Sequence, residues 1–150
     1  MAENSIDVAI LLYSRDLLYY AGVSIPSILL ITSVTTRLYI RRAWEFALQD
    51  ATIPDVVPNG GFREIAECLK MERLDRGRIG LELDVVPAEL FLKLQAELPG
   101  AEFRNISPHI LNQRMVKDED ELELVRTSAG MIDKAQRRAR EVIRDGMNEI

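Results

Sequence analysis

The chain has 150 residues, 47% of them hydrophobic and 29% charged, with a formal net charge of −5. This length suits one soluble domain with a core large enough to fold alone, and the acidic balance argues against a nucleic-acid partner, which clustered Lys and Arg would have to serve. A single cysteine excludes an intrachain disulfide and a Cys-based zinc site.

Taken in chain order, residues 8–13 form a short apolar run that suits a strand buried on both faces. Ser14 is placed to cap a short helix over 16–20, which Gly22 ends. Residues 27–32 and 37–40 read as two further strands around a polar turn at 33–36, a hairpin. Residues 42–49 have helical spacing, with Ala43, Phe46 and Ala47 on one face. Two prolines make 53–58 extended. Asn59-Gly60-Gly61 is a turn, and a helix over 62–71 puts Ile65, Ala66 and Leu69 on one side. Residues 78–84 read as a strand, with Ile79, Leu81 and Leu83 on one face and Glu82 on the other. Pro87 opens a helix that carries Leu90, Phe91, Leu94 and Leu98, and Pro99-Gly100 stops it. A strand over 101–106 and a helix from Ser107-Pro108 to about Met115 follow. Alternating strands and helices with one early hairpin predict a three-layer α/β/α domain with a mixed, mostly parallel sheet.

Asp118 and Glu121 have the spacing of an N-terminal capping pair for a long C-terminal helix reaching about Arg144, with Gly146 as its terminator. Leu122, Val125, Ala129, Ile132, Ala135, Ala139 and Val142 recur at spacings of three and four and define one apolar stripe. A helix of about 27 residues is about 40 Å long, against a radius of gyration of about 13–14 Å for the part before it. The stripe therefore needs a partner. Either the helix packs on itself or on a symmetry mate, or the chain is a fragment of a longer protein; the fragment is the expectation.

Few residues offer chemistry. His109 is the only histidine, and Glu102 and Asp118 are not at metal-ligand spacing from it, so a capping or surface role is expected. Asn59-Gly60-Gly61 before a helix would offer backbone N–H groups to an anion, but it lacks the full Gly-rich fingerprint and a following Lys, and a plain turn is expected. Glu82 and Asp84 flank a strand end, where they would either grip a metal or, as expected, form a solvated edge or a helix cap. Cys68 falls in an apolar helical pattern that suits a buried, inert thiol. Lys134, Arg137, Arg138 and Arg140 cluster among acids, as on a solvated helix face. No signal peptide or membrane-spanning run is indicated, and a reducing, cytoplasmic setting is expected.

Gly80-Leu81-Glu82-Leu83-Asp84, the 91–98 helix, Pro99-Gly100-Ala101-Glu102-Phe103, and Arg114-Met115-Val116-Lys117 running to Glu121 occur in an order and spacing that resemble the creatinase/prolidase/aminopeptidase P family. There such pieces end the N-terminal domain and lead into the catalytic domain. Upstream, Ile6-Asp7-Val8 and Asp16, Tyr20 and Gly22 are similar to the family's opening, with Asp16 where Asn is more usual. Gly146-Met147-Asn148-Glu149 resembles the ending of the first catalytic-domain helix. Only residues 2–5 are available for the helix with which the family usually begins.

The resemblance implies a creatinase/prolidase N-terminal domain with a ribonuclease-H-like motif over 1–117, then a linker and the first helix of a truncated pita-bread catalytic domain over 118–150. It implies a non-catalytic part of an Xaa-Pro metallopeptidase that supports dimerisation and narrows access to the active site. The alternatives are a domain of a creatinase-like amidinohydrolase, or a non-enzymatic protein-binding module of the same architecture. A self-contained α/β enzyme using His109 or the Glu82 and Asp84 carboxylates is a further option. The fragment itself is expected to be inactive and to hold no cofactor. Two divalent metal ions are implied for a full-length peptidase, on two Asp, one His and two Glu of the later domain. The implied partners are the missing catalytic domain and a second copy, not nucleic acid or membrane. By the same resemblance, Arg41 and Arg42 are candidates to hold a substrate carboxylate at a partner subunit's mouth, with Trp44 walling the pocket. The stripe from Leu122 to Val142 is the candidate interdomain or dimer surface.

Overall fold

The computed structural model describes residues 6–58 and 60–148. Its strands are β1 (Val8–Leu11), β2 (Ser27–Ile31), β3 (Thr36–Ile40), β4 (Val56–Pro58), β5 (Arg78–Leu81) and β6 (Glu102–Asn105). The helices are α1 (Ser14–Ala21), α2 (Trp44–Asp50), α3 (Phe62–Met71), α4 (Ala88–Glu97), α5 (Ser107–Met115) and α6 (Glu119–Val142). The expected elements are all present, in the expected order.

The strands form one sheet in the order β4-β3-β2-β1-β5-β6. β1 pairs antiparallel with β2, and β2 with β3. The pairs β1–β5, β3–β4 and β5–β6 are parallel, so the sheet is mixed and mostly parallel. Apolar runs on both pleat faces explain why it is covered on both sides. Val8 and Ile10 of β1 face a core shared with Ile65 and Leu69 of α3 and Leu94 of α4. Ala9 and Leu11 face the opposite core, with Leu17 and Ala21 of α1, Ala47 of α2 and Ile110 of α5.

The β2–β3 turn is tied by the Thr32 hydroxyl, which accepts the Val34 and Thr35 N–H groups at 3.1 and 2.9 Å. α1 ends at Gly22, whose φ of 75° is left-handed; a Cβ there would come within 2.5 Å of the Asp50 carbonyl oxygen. Glycine is required on both counts.

Beyond the expected Ser14 cap, which falls inside α1 while Tyr13 takes the cap position with no side-chain cap bond, three expectations need correction. Helix α2 does not bury Ala43, Phe46 and Ala47 together: Ala47 is buried, but Phe46 is 69% exposed. Ala43 precedes the helix at a left-handed φ of 58°, which resets the helical phase and turns Trp44 inward instead. Second, strand β5 stops at Leu81; Leu83 is 39% exposed, whereas Glu82 is 1% exposed. Third, α6 ends at Val142, and Gly146, although its φ is positive, lies beyond the cap residue Ile143.

The chain divides into two compact units, Met1–Leu111 and Asn112–Ile150. In the second, Asp118 accepts the Glu121 N–H at 2.8 Å and the Glu121 carboxylate accepts the Asp118 N–H at 3.0 Å. That reciprocal pair starts α6.

Candidate functional site

Because β1, β3, β4, β5 and β6 all run the same way, their carboxyl ends share one edge of the sheet with the amino end of β2. Ligands of open α/β sheets bind at that edge. It gathers Leu12 and Tyr13 after β1, Arg41 and Arg42 after β3, Glu82 after β5 and Ser107 after β6.

Glu82 is the most constrained of these. Its Oε2 accepts the Leu12 N–H at 2.7 Å and the Tyr13 N–H at 3.3 Å, while its Oε1 receives no hydrogen bond. The carboxyl of Asp16, in the first turn of α1 and only 4% exposed, lies within hydrogen-bonding reach of it. Burial pushes the Glu82 carboxyl up to about 8; the hydrogen bond and charge of Asp16 add to this, and the two amides oppose it. Glu82 is therefore not the solvated edge residue expected from its position. Its neighbour in space is Asp16, not Asp84. Asp84 is exposed, and its Oδ1 accepts from the Ser107 hydroxyl, which also lies 2.6 Å from Asn105 Oδ1. The carboxylates of Glu82 and Asp84 are thus engaged separately.

Beside Glu82 the β1–α1 turn, the loop before β2 and the segment before α4 enclose an apolar cleft of about 330 Å³, lined among others by Leu12, Tyr13, Ile25, Pro26, Val85 and Leu90. Another cleft, of about 400 Å³, has a mixed-charge lining that includes Lys70, Asp75, Arg76 and Glu97. Arg41 and Arg42 are exposed, and Trp44 is half-buried against the core on the α1 side. The Arg41 N–H donates to the Pro26 carbonyl at 3.2 Å, which ties the end of β3 to one wall of the apolar cleft. None of the three residues lines either cleft.

On the α3 side, Glu72 accepts the hydroxyls of Thr32 and Thr35 at 2.8 and 2.5 Å. The Cys68 thiol lies 3.8 Å from Glu72 Oε1 and 3.7 Å from Arg37 Nη1; the thiol is buried, as expected. Burial raises the Tyr39 phenol to about 12, opposed by its hydrogen bond with Arg37. Tyr39 and Asp55 together stabilise the Arg37 guanidinium. This network is saturated with internal partners and fits a structural role.

His109 is exposed on α5. Asn59 lies outside the described residues; of the two glycines of the candidate anion-binding turn, Gly60 is buried against Tyr39 and the Gly61 N–H donates to Glu64 Oε2 at 2.7 Å. Among the described residues no group of three His, Cys, Asp or Glu is placed to hold a metal ion. On α6, Leu122 is half-buried and Val125, Ala129, Ile132, Ala135, Ala139 and Val142 are exposed.

Sequence reasoning missed the Asp16–Glu82 pair. The one signal was local: Asp16 adjoins Leu17, on the helix face that also carries Ala21, a face that must turn inward.

Residues 1–116 match the family model for the creatinase/prolidase N-terminal domain. Over 73 residues, 49% of the chain, the sequence is 32% identical to a creatinase of Bacillus sp. (strain B-0618) and covers 18% of that protein. The fold superposes on the prolidase from Pyrococcus horikoshii OT3 with a TM-score of 0.82 and 25% identity, over 99% of this chain and 42% of that one. It superposes on the X-Pro aminopeptidase from Thermotoga maritima MSB8 with a TM-score of 0.79 and 24% identity, over 96% of this chain and 43% of that one. The chain thus spans less than half the length of each of these three proteins.

Proposed function

Since the chain belongs to the creatinase/prolidase N-terminal domain family, we propose that it is the non-catalytic N-terminal part of an Xaa-Pro metallopeptidase of the prolidase or aminopeptidase P kind. One observation carries this reading. The likeness to the Pyrococcus horikoshii prolidase extends over 99% of the chain, past residue 116 where the family model stops and through α6. On this reading α6 is the first helix of the catalytic domain, and its stripe from Leu122 to Val142 packs against the rest of that domain or against a second copy. Arg41, Arg42 and Trp44 border the substrate's path to a neighbouring active site, in a cytoplasmic homodimer.

The residues of this chain do not fit a two-metal hydrolytic centre, since no described group of three suitable donors exists and the sequence has a single histidine. On this reading the metals of the peptidase are held by its catalytic domain.

The test has two arms. The purified 150-residue chain, supplied with Mn²⁺ or Co²⁺, is expected to leave an Xaa-Pro dipeptide uncleaved; metal-dependent turnover that purifies with the chain overturns the reading. Reading the gene past the codon for Ile150 is expected to reveal two Asp, one His and two Glu in that order. A continuation without them favours the second reading, a creatinase-like amidinohydrolase, which the 32% identity to a creatinase supports. A stop codon there, with tight binding of another protein by the chain, favours a binding module.

A further inference from the structure

Each end of the sheet leaves a strand with one edge that no neighbouring strand takes up. At one end β4 is three residues long and closes on Pro58, which has no N–H to offer another chain. At the other end β6 carries no proline and runs Glu102-Phe103-Arg104-Asn105. The Glu102 N–H donates to the Gly77 carbonyl at 3.0 Å and the Ile106 N–H to the Leu81 carbonyl at 2.9 Å. Residues 102, 104 and 106 thus turn their backbone groups to β5, and the residues between them turn theirs the other way. The N–H and C=O groups of Phe103 and Asn105 line the outer edge, where Glu102, Arg104 and Asn105 are exposed. We propose that a second copy of this chain pairs with that edge, β6 against β6, antiparallel and centred on Phe103, so that two six-stranded sheets become one.

The side chains select that partner and that register. Glu102 and Arg104 share one face of the strand and already meet at 2.7 Å. Charges on an edge strand ordinarily discourage pairing. Here they are opposite in sign and two residues apart, so a twofold axis through Phe103 sets each Glu102 opposite the other copy's Arg104. Sliding the strands by two residues sets Glu102 against Glu102 or Arg104 against Arg104, and parallel pairing in register does both. In the centred register each Phe103 N–H donates to the other copy's Phe103 carbonyl, and each Asn105 N–H to the other copy's Ala101 carbonyl. On the opposite face Phe103 stands edge to face with Phe91, ring centroids 5.3 Å apart, and packs on the core under α3 and α4. The axis brings a second Phe103 beside it. So short a strand makes a small interface, and the pairing is weak and concentration-dependent. The surface belongs to the first unit alone and shares no residue with the α6 stripe.

Amide hydrogen exchange of the 150-residue chain, followed by NMR at about 50 µM and about 1 mM, tests this in a range that brackets weak association. The Phe103 and Asn105 amides are expected to gain protection about twofold or more at the higher concentration, while the Arg104 amide, which faces β5, keeps its own. Unchanged protection of Phe103 and Asn105 overturns the pairing, and so does a gain confined to α6. Glu102→Arg and Arg104→Glu, both at exposed positions, are each expected to abolish the concentration-dependent gain, because each sets like charges opposite one another. An equimolar mixture of the two variants is expected to restore it, since the mixed pair again sets acid opposite base. A mixture that gains nothing over its components overturns the register and the second copy as its occupant.

Discussion

Asp7 and Arg78 join the start of β1 to the start of β5 by two side-chain bonds of 3.0 and 2.9 Å, and the Arg78 N–H adds a third at 2.9 Å. Hydrogen bonds from Arg78 hold the Asp7 carboxyl down at about 2. Its contribution to stability is present above the ordinary value of 3.8 and is lost as pH falls towards 2. Asp7→Asn is therefore expected to lower the thermal midpoint at pH 7 and to leave it nearly unchanged at pH 2. An equal loss at both pH values would assign the residue a purely steric role. The two carboxylates on opposite sides of β1–β5 thus respond to pH in opposite senses: Asp7 loses its contribution in acid and Glu82, raised from 4.5 to about 8 in the folded chain, loses its own in base. Asp7 was not legible as a site in the sequence, and Glu82 only as a strand-end carboxylate paired with Asp84. Asp7 sits before an apolar run and Glu82 after one, and only the parallel pairing of β1 with β5 brings each to its partner.

At the scale of single elements the sequence was far more transparent. α3 was readable to the residue, because Gly61 precedes it, and Ile65, Ala66 and Leu69 fall on one face and are all buried. α2 was misread on its buried face because a left-handed alanine leaves no mark in hydrophobic spacing. α6 was legible from its capping pair and its stripe, yet none of its residues is buried. Its stability rests on the cap, on ion pairs such as Arg137–Asp133 at 3.4 Å, and on whatever covers the stripe. Asp118→Ala is expected to cost the helix about 1 kcal/mol, seen as reduced helicity by circular dichroism. If the stripe joins two copies, Ile132→Asp lowers the sedimentation coefficient to that of a monomer and leaves the thermal midpoint of the first unit in place. Identical sedimentation of both forms at all concentrations rules out self-association through that face.

Across the whole molecule, alternating elements foretold the layers, but spacing could not supply the strand order, which depends on pairings between distant segments. β4, β3, β2 and β1 lie in unbroken sequence order, whereas β5 and β6 are added on the far side of β1. This arrangement bears on synthesis. A growing chain can assemble four strands once Pro58 has emerged, but the outer edge of β1, made of Val8, Ala9, Ile10 and Leu11, stays unpaired until Leu81 follows. An apolar strand with free backbone groups invites pairing with another chain. A polypeptide ended at Met71 is therefore expected to aggregate, whereas one ended at Val116 stays in solution; light scattering after release from the ribosome distinguishes them. The strand at the centre of the finished sheet is, for the time needed to translate α3 and β5, the nascent protein's most vulnerable edge.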